Sequence, residues 1–79
     1  MEGLVFVALQ PKTPGAVSKI HIEVGKITAV EELTTRGVVT GSRVCVTSGQ
    51  SFEVREKPEE VIEDANRIIN RSLNREILR

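Results

Sequence analysis

Apolar residues recur along this chain with two different periods. In the first two thirds they alternate: Ile20, Ile22 and Val24 against Lys19, His21 and Glu23, then Val44 and Val46 against Arg43 and Cys45, then Phe52 and Val54 against Glu53 and Arg55. A period of two predicts half-buried strands. In the last third Val61, Ile62, Ala65, Ile68, Ile69 and Leu73 form one wide stripe at helical spacing. Lys57-Pro58-Glu59-Glu60 opens that helix, with proline at its first position and acids in its first turn. The helix is predicted from about Pro58 to Leu78. At about 1.5 Å per residue it extends roughly 30 Å, against about 20 Å for a typical strand, so its last turns are expected to overhang. Glu76 interrupts the stripe and leaves Ile77 and Leu78 with little sheet beneath them.

The connecting segments carry the register. Leu4 to Leu9 is continuously apolar, which suggests a strand buried on both faces or an edge covered by a partner. Gln10 to Gly15 holds two prolines and a glycine and reads as a turn. Ile27 to Leu33 reads as a further strand, but Ile27, Val30 and Leu33 do not share one parity, so a bulge or a short turn of helix is expected within it. Thr34 to Ser42, with Gly37 and Gly41, is the most loop-like stretch, although Val38-Val39 can extend the flanking strands into a longer hairpin. Around Gly49 the pattern is more restrictive. Residues directly opposite in an antiparallel pair share a face, so Val44 and Val46 must lie opposite residues of the Phe52 and Val54 face. Paired residue numbers then sum to an even value, which predicts a three-residue loop, Thr47-Ser48-Gly49, with Gly49 left-handed.

These elements predict an α+β fold: one small curved antiparallel sheet of four or five strands, with the long C-terminal helix packed on one face. Residues 1–79 are expected to form a single small domain, 1–56 its sheet part and 57–79 its helix with an overhanging end. The expected core is Val5, Val7, Ile20, Ile22, Val24, Val44, Val46, Phe52, Val54, Val61, Ile62, Ala65, Ile69 and Leu73.

Composition narrows the function classes. With two phenylalanines and neither tryptophan nor tyrosine, the core must be aliphatic, and a chain of 79 residues builds only a small one. Self-association is the usual remedy, and a homodimer or higher oligomer is expected. Eleven basic and eleven acidic residues balance, so no global field draws the chain to nucleic acid or to an anionic membrane. A single cysteine excludes an intrachain disulfide and points to a reducing compartment. No apolar run approaches the roughly 18–20 residues that span a bilayer. The N-terminal apolar run lacks a basic leader and reads as a strand rather than a signal peptide, so a cytoplasmic location is expected.

Candidate chemistry is sparse. Asn66-Arg67, Asn70-Arg71 and Asn74-Arg75, followed by Arg79, place arginines at four-residue spacing on one helix face. These are residue types that read base edges in a major groove. The same helix starts with Glu59, Glu60, Glu63 and Asp64, so the arrangement equally matches its macrodipole, with Glu63 and Arg67 a favourable pair. His21 is the only histidine and sits on the polar face of its strand without the partners that a metal site or a catalytic triad requires. Cys45 shares its face with Arg43 and reads as a half-buried structural thiol. The glycines fit no phosphate-binding spacing, and no cofactor, metal or catalytic residue is expected.

From about Ile20 to Ile69 the order of elements resembles the FlbD-type small bacterial flagellar and swarming-motility proteins. The residues that carry it are Ile22-Glu23-Val24-Gly25-Lys26-Ile27-Thr28-Ala29-Val30-Glu31, Arg43-Val44-Cys45-Val46-Thr47-Ser48-Gly49, and Phe52-Glu53-Val54-Arg55-Glu56 leading into Pro58-Glu59-Glu60-Val61-Ile62. The chain departs from that pattern in a longer Thr34 to Ser42 segment and a longer, arginine-bearing tail. The resemblance implies the strand and helix order and a non-catalytic role. The expected function is thus a non-enzymatic interaction or assembly module of bacterial or phage type. It would bind itself and an unidentified protein through Leu73, Ile77 and Leu78, without a membrane. The alternative is a small DNA- or RNA-binding regulator using Arg67, Arg71, Arg75 and Arg79.

Overall fold

The structure, a computed structural model, describes residues 5–77, and side chains over 5–72. Its elements are β1 (Phe6–Leu9), β2 (Ile20–Glu23), a single 3-10 turn (Val24–Lys26), β3 (Ile27–Thr35), β4 (Val38–Val46), β5 (Ser51–Val54) and α1 (Pro58–Ile77). All strand pairs are antiparallel, and the α+β class is as expected. The single sheet is not. The strands form two sheets, β1-β2 and β3-β4-β5. Pro11 has no N–H to extend the ladder, and the chain crosses from one sheet to the other there. One bridge, Pro11 to Val54, joins them, with the Lys12 N–H donating to the Glu53 carbonyl and the Arg55 N–H to the Gln10 carbonyl, both at 2.9 Å.

β1 alternates, with Val7 and Leu9 buried and Phe6 and Ala8 exposed, so its apolar run is not buried on both faces. The 3-10 turn carries β2 directly into β3. β3 and β4 form a long hairpin through Arg36-Gly37, both at positive φ (+53° and +80°), and the Thr34 to Ser42 stretch is strand rather than loop on either side of it. Two bulges interrupt this ladder. Thr28 is the extra residue on β3, which turns Ile27 and Val30 to the same face, and Thr40 is the extra residue on β4. At each bulge the threonine hydroxyl donates to a carbonyl of the opposite strand, Thr28 to Cys45 and Thr40 to Leu33.

The β4-β5 turn has the expected form. Val44 lies opposite Phe52, the Val46 N–H donates to the Gln50 carbonyl, and the Gly49 N–H donates to the Val46 carbonyl. Gly49 has φ of +94°, so the loop is Thr47-Ser48-Gly49 with a left-handed glycine.

α1 lies against the inner face that this register creates. Its start is fixed by Pro58 at the first helical position and by the Glu60 carboxylate, which accepts the Lys57 N–H at 2.8 Å. Val7, Leu9, Ile22, Val44, Val54 and Val61 are buried, ringed by Ile20, Val24, Ile27, Val30, Val46, Phe52 and Ile68. Leu9 and the hydroxyl of Ser42 are core members that alternation did not select. Ile62 and Ile69, expected in the core, are 50% and 38% exposed. Val5, Ile20, Val24, Val46, Phe52 and Ala65 are half-buried, and Leu73 falls outside the described side chains. No helix among the described residues is long and apolar enough to cross a membrane.

Candidate functional site

The helix separates into three longitudinal strips. Val61, Ala65 and Ile68 face the sheets and are buried or half-buried. Arg67 and Arg71 lie on one flank of this strip and are exposed. On the flank opposite the arginines, Ile62 and Ile69 are seven residues apart, hence on one side of the helix, and both stand out of the core. They border a shallow groove of about 220 Å³ whose other wall is Val24, Ile27 and Val30. Ile27 and Val30 of that wall belong to the start of β3, which is an edge strand: it pairs with β4 only. An apolar helix flank therefore runs beside a strand edge whose outer hydrogen-bonding groups have no strand partner among the described residues.

Electrostatics elsewhere are modest. On the outer face of the three-stranded sheet Arg43 sits between two acids, 3.0 Å from Glu53 and 3.2 Å from Glu31. Its hydrogen bonds to Glu53 and then Glu31 hold its pKa above the ordinary guanidinium value. This row crosses all three strands at one level, since Glu31 and Glu53 both lie opposite Arg43. All three groups are exposed enough that solvent screens them. Cys45 stands on the same outer face and is half-buried, as expected. His21 is exposed on β2. Among the described residues no three His, Cys, Asp or Glu side chains come together as metal ligands would.

The residues singled out from sequence fare unequally. Arg67 hydrogen-bonds Asp64 one turn earlier, not Glu63, and Arg71 is exposed. The side chains of Arg75 and Arg79, and those of Leu73, Ile77 and Leu78, lie outside the described residues. The width of the apolar stripe places Ile62 and Ile69 in the core, whereas both are exposed. A clue to their exposure was present in the same stripe, since it covers more of the helix than one packed neighbour can bury. Comparison of the chain with protein-family models, with curated proteins and with solved structures returned no match.

Proposed function

We propose that this chain is a non-enzymatic assembly module that self-associates through the exposed flank of α1 and the adjoining edge of β3. The observation that carries it is the exposure of Ile62 and Ile69 at 50% and 38% beside an apolar groove, with only six apolar residues buried in the core among the described residues. A second copy fits this surface. A two-fold axis perpendicular to the helices sets them antiparallel and makes the patch complementary to itself. Leu73, Ile77 and Leu78 belong to the same proposal as further apolar anchors, and an additional protein partner would use the same surface.

Light scattering behind a sizing column tests it, on the full chain and on a variant carrying Ile62→Glu and Ile69→Glu. The exchanges sit at exposed helix positions and keep helix propensity, so circular dichroism should stay unchanged. The expected result is an oligomer that the double variant reduces to the mass of one chain. A wild-type monomer up to about millimolar concentration, or a variant that keeps the oligomer's mass, overturns the proposal. If the monomer instead binds duplex DNA or RNA with steep salt dependence that Arg71→Gln reduces, the nucleic-acid reading replaces it.

A further inference from the structure

A second surface, given no role above, is the free edge of β2. β2 pairs with β1 alone. The Val24 N–H donates to the Val5 carbonyl at 2.8 Å, and hydrogen-bonded pairs in an antiparallel ladder recur every second residue. Ile22 opposite Val7 and Ile20 opposite Leu9 are therefore the bonded pairs. It follows that the N–H and C=O of His21 and the N–H of Glu23 point away from β1, to the other edge. No hydrogen bond among the described residues uses them.

That edge opens onto a groove. One cavity of about 360 Å³ runs beside His21 and Glu23, with Val46, Gln50 and Phe52 of the β4-β5 hairpin as its far wall. A second of about 470 Å³ continues beside Ile20, lined by Pro11, Ala16 and Val17. Phe52 borders both, so the two form one trough along β2. The far wall is held at both ends: the Thr47 N–H donates to the Lys26 carbonyl and the Lys12 N–H to the Glu53 carbonyl, each at 2.9 Å. Between these pins β2 and β5 do not pair. Lys19 and Lys26 stand at the two ends of the trough, and neither has an ion-pair partner among the described residues.

We propose that this trough binds an extended peptide segment of another protein by strand addition to β2. His21 would supply one two-bond pair and Glu23 a third main-chain bond, which is the affinity-giving element of this binding mode. Alternate side chains of the peptide would be apolar, resting on Phe52 and on the Ile20 and Val17 side of the trough. Carboxylates about six extended residues apart would meet Lys19 and Lys26. The occupant is thus an apolar strand flanked by acids, and the site is independent of the α1 flank.

The test uses the full ¹⁵N-labelled chain and the capped synthetic peptide Asp-Val-Thr-Val-Thr-Val-Asp. At saturation, amide exchange at His21 and Glu23 should slow by about tenfold or more, with shift changes at Phe52 and none centred on Ile62. His21→Pro removes the outward N–H and leaves the β1-facing bonds of Ile22 intact, a position where an edge strand accepts proline. It should weaken binding by about tenfold while Val7 and Ile22 amides stay protected. Lys19→Glu with Lys26→Glu should weaken it similarly and more strongly at low salt. Absence of binding at millimolar peptide overturns the proposal, as does equal affinity for a peptide with proline at its centre. Concentration-dependent protection of His21 in the protein alone also overturns it, because the edge would then belong to a second copy.

Discussion

Gly41 offers the sharpest test of the packing, because the space for even one methyl group is already taken. It lies on β4 opposite Leu33, next to the bulge at Thr40, and its backbone is buried. A Cβ built there would stand 2.3 Å from the Val54 carbonyl oxygen, 3.4 Å from the carbonyl carbon and 3.5 Å from Arg55 Cα. The oxygen contact is about 1 Å inside van der Waals distance. The obstacle is main chain and cannot rotate away. It is also pinned: Val54 pairs with Ser42, the Arg55 N–H donates to the Gln10 carbonyl, and the Ser42 hydroxyl donates to the Glu56 carbonyl at 2.6 Å. Relieving the clash means moving that whole crossing, which also carries the link between the two sheets. Overpacking of this kind costs about 1–3 kcal/mol, and strain on the adjoining bonds raises the expected loss for Gly41→Ala to roughly 2–4 kcal/mol. For a domain of this size that lowers Tm by roughly 10–25 °C. Gly25→Ala is the matched control. It has nothing within 4 Å of the added carbon and no positive φ, and should be neutral or stabilise by up to about 1 kcal/mol. Thermal and urea unfolding at one fixed protein concentration measure both, since any oligomer makes Tm concentration-dependent. A Gly41→Ala protein within about 0.5 kcal/mol of the Gly25→Ala protein would refute this account of the crossing.

Four further outcomes follow from single contacts. Ser42→Ala removes the buried hydroxyl that donates to the part-buried Glu56 carbonyl and should lose about 0.5–1.5 kcal/mol in urea unfolding. Arg36→Asn should gain about 0.5–1 kcal/mol, because Arg36 holds φ of +53° in the β3-β4 turn, where asparagine is at less cost. Glu60→Ala removes the acceptor for the Lys57 N–H at the helix start and should lose about 0.5–1 kcal/mol, with helix fraying visible in amide exchange over residues 58–61. Arg43→Gln breaks the Glu31-Arg43-Glu53 row, and the stability gap to wild type should shrink as salt rises from 10 mM to about 1 M. A gap that does not move with salt would mean that packing, not charge, is what Arg43 contributes.

Local rules were enough wherever one element carried its own signal. At the β4-β5 turn parity excluded an even-numbered loop, because Val44, Val46, Phe52 and Val54 must share one face, and Gly49 made three residues the simplest choice. The helix start followed from Pro58 and the acids behind it. The bulge in β3 was visible as a break in parity, though the sequence alone did not separate it from a helical turn. Other features depended on partners distant in the chain. Leu9 stands beside the proline turn, and its burial depends on where Pro11 meets β5. Ser42 is buried because β5 ends over it and offers the Glu56 carbonyl. The division into two sheets rests on a missing N–H at Pro11, whose effect depends on which strand would have been its neighbour. The long Thr34 to Ser42 hairpin was hidden by Arg36, a residue seldom chosen for a left-handed turn position.

The helix stripe is where local pattern and tertiary geometry part. Val61 to Leu73 presents an apolar arc of about 140° on a wheel of 100° per residue, and the packed residues Val61, Ala65 and Ile68 occupy only about 60° of it. A helix seated on a sheet buries a strip set by the neighbour's width, and here the neighbour is narrow: β3 is the last strand on that side. Ile62 and Ile69 fall beyond its edge. Periodicity reports which side chains avoid water, and it is silent on whether the cover comes from the same chain. At β2 the same geometry leaves main-chain donors and an acceptor open instead of side chains. The edges of β3 and β2 therefore suit different occupants in the two proposals. Beside β3 the apolar flank suits another copy of a rigid helix, while along β2 the open hydrogen-bonding row suits a segment that brings its own extended backbone.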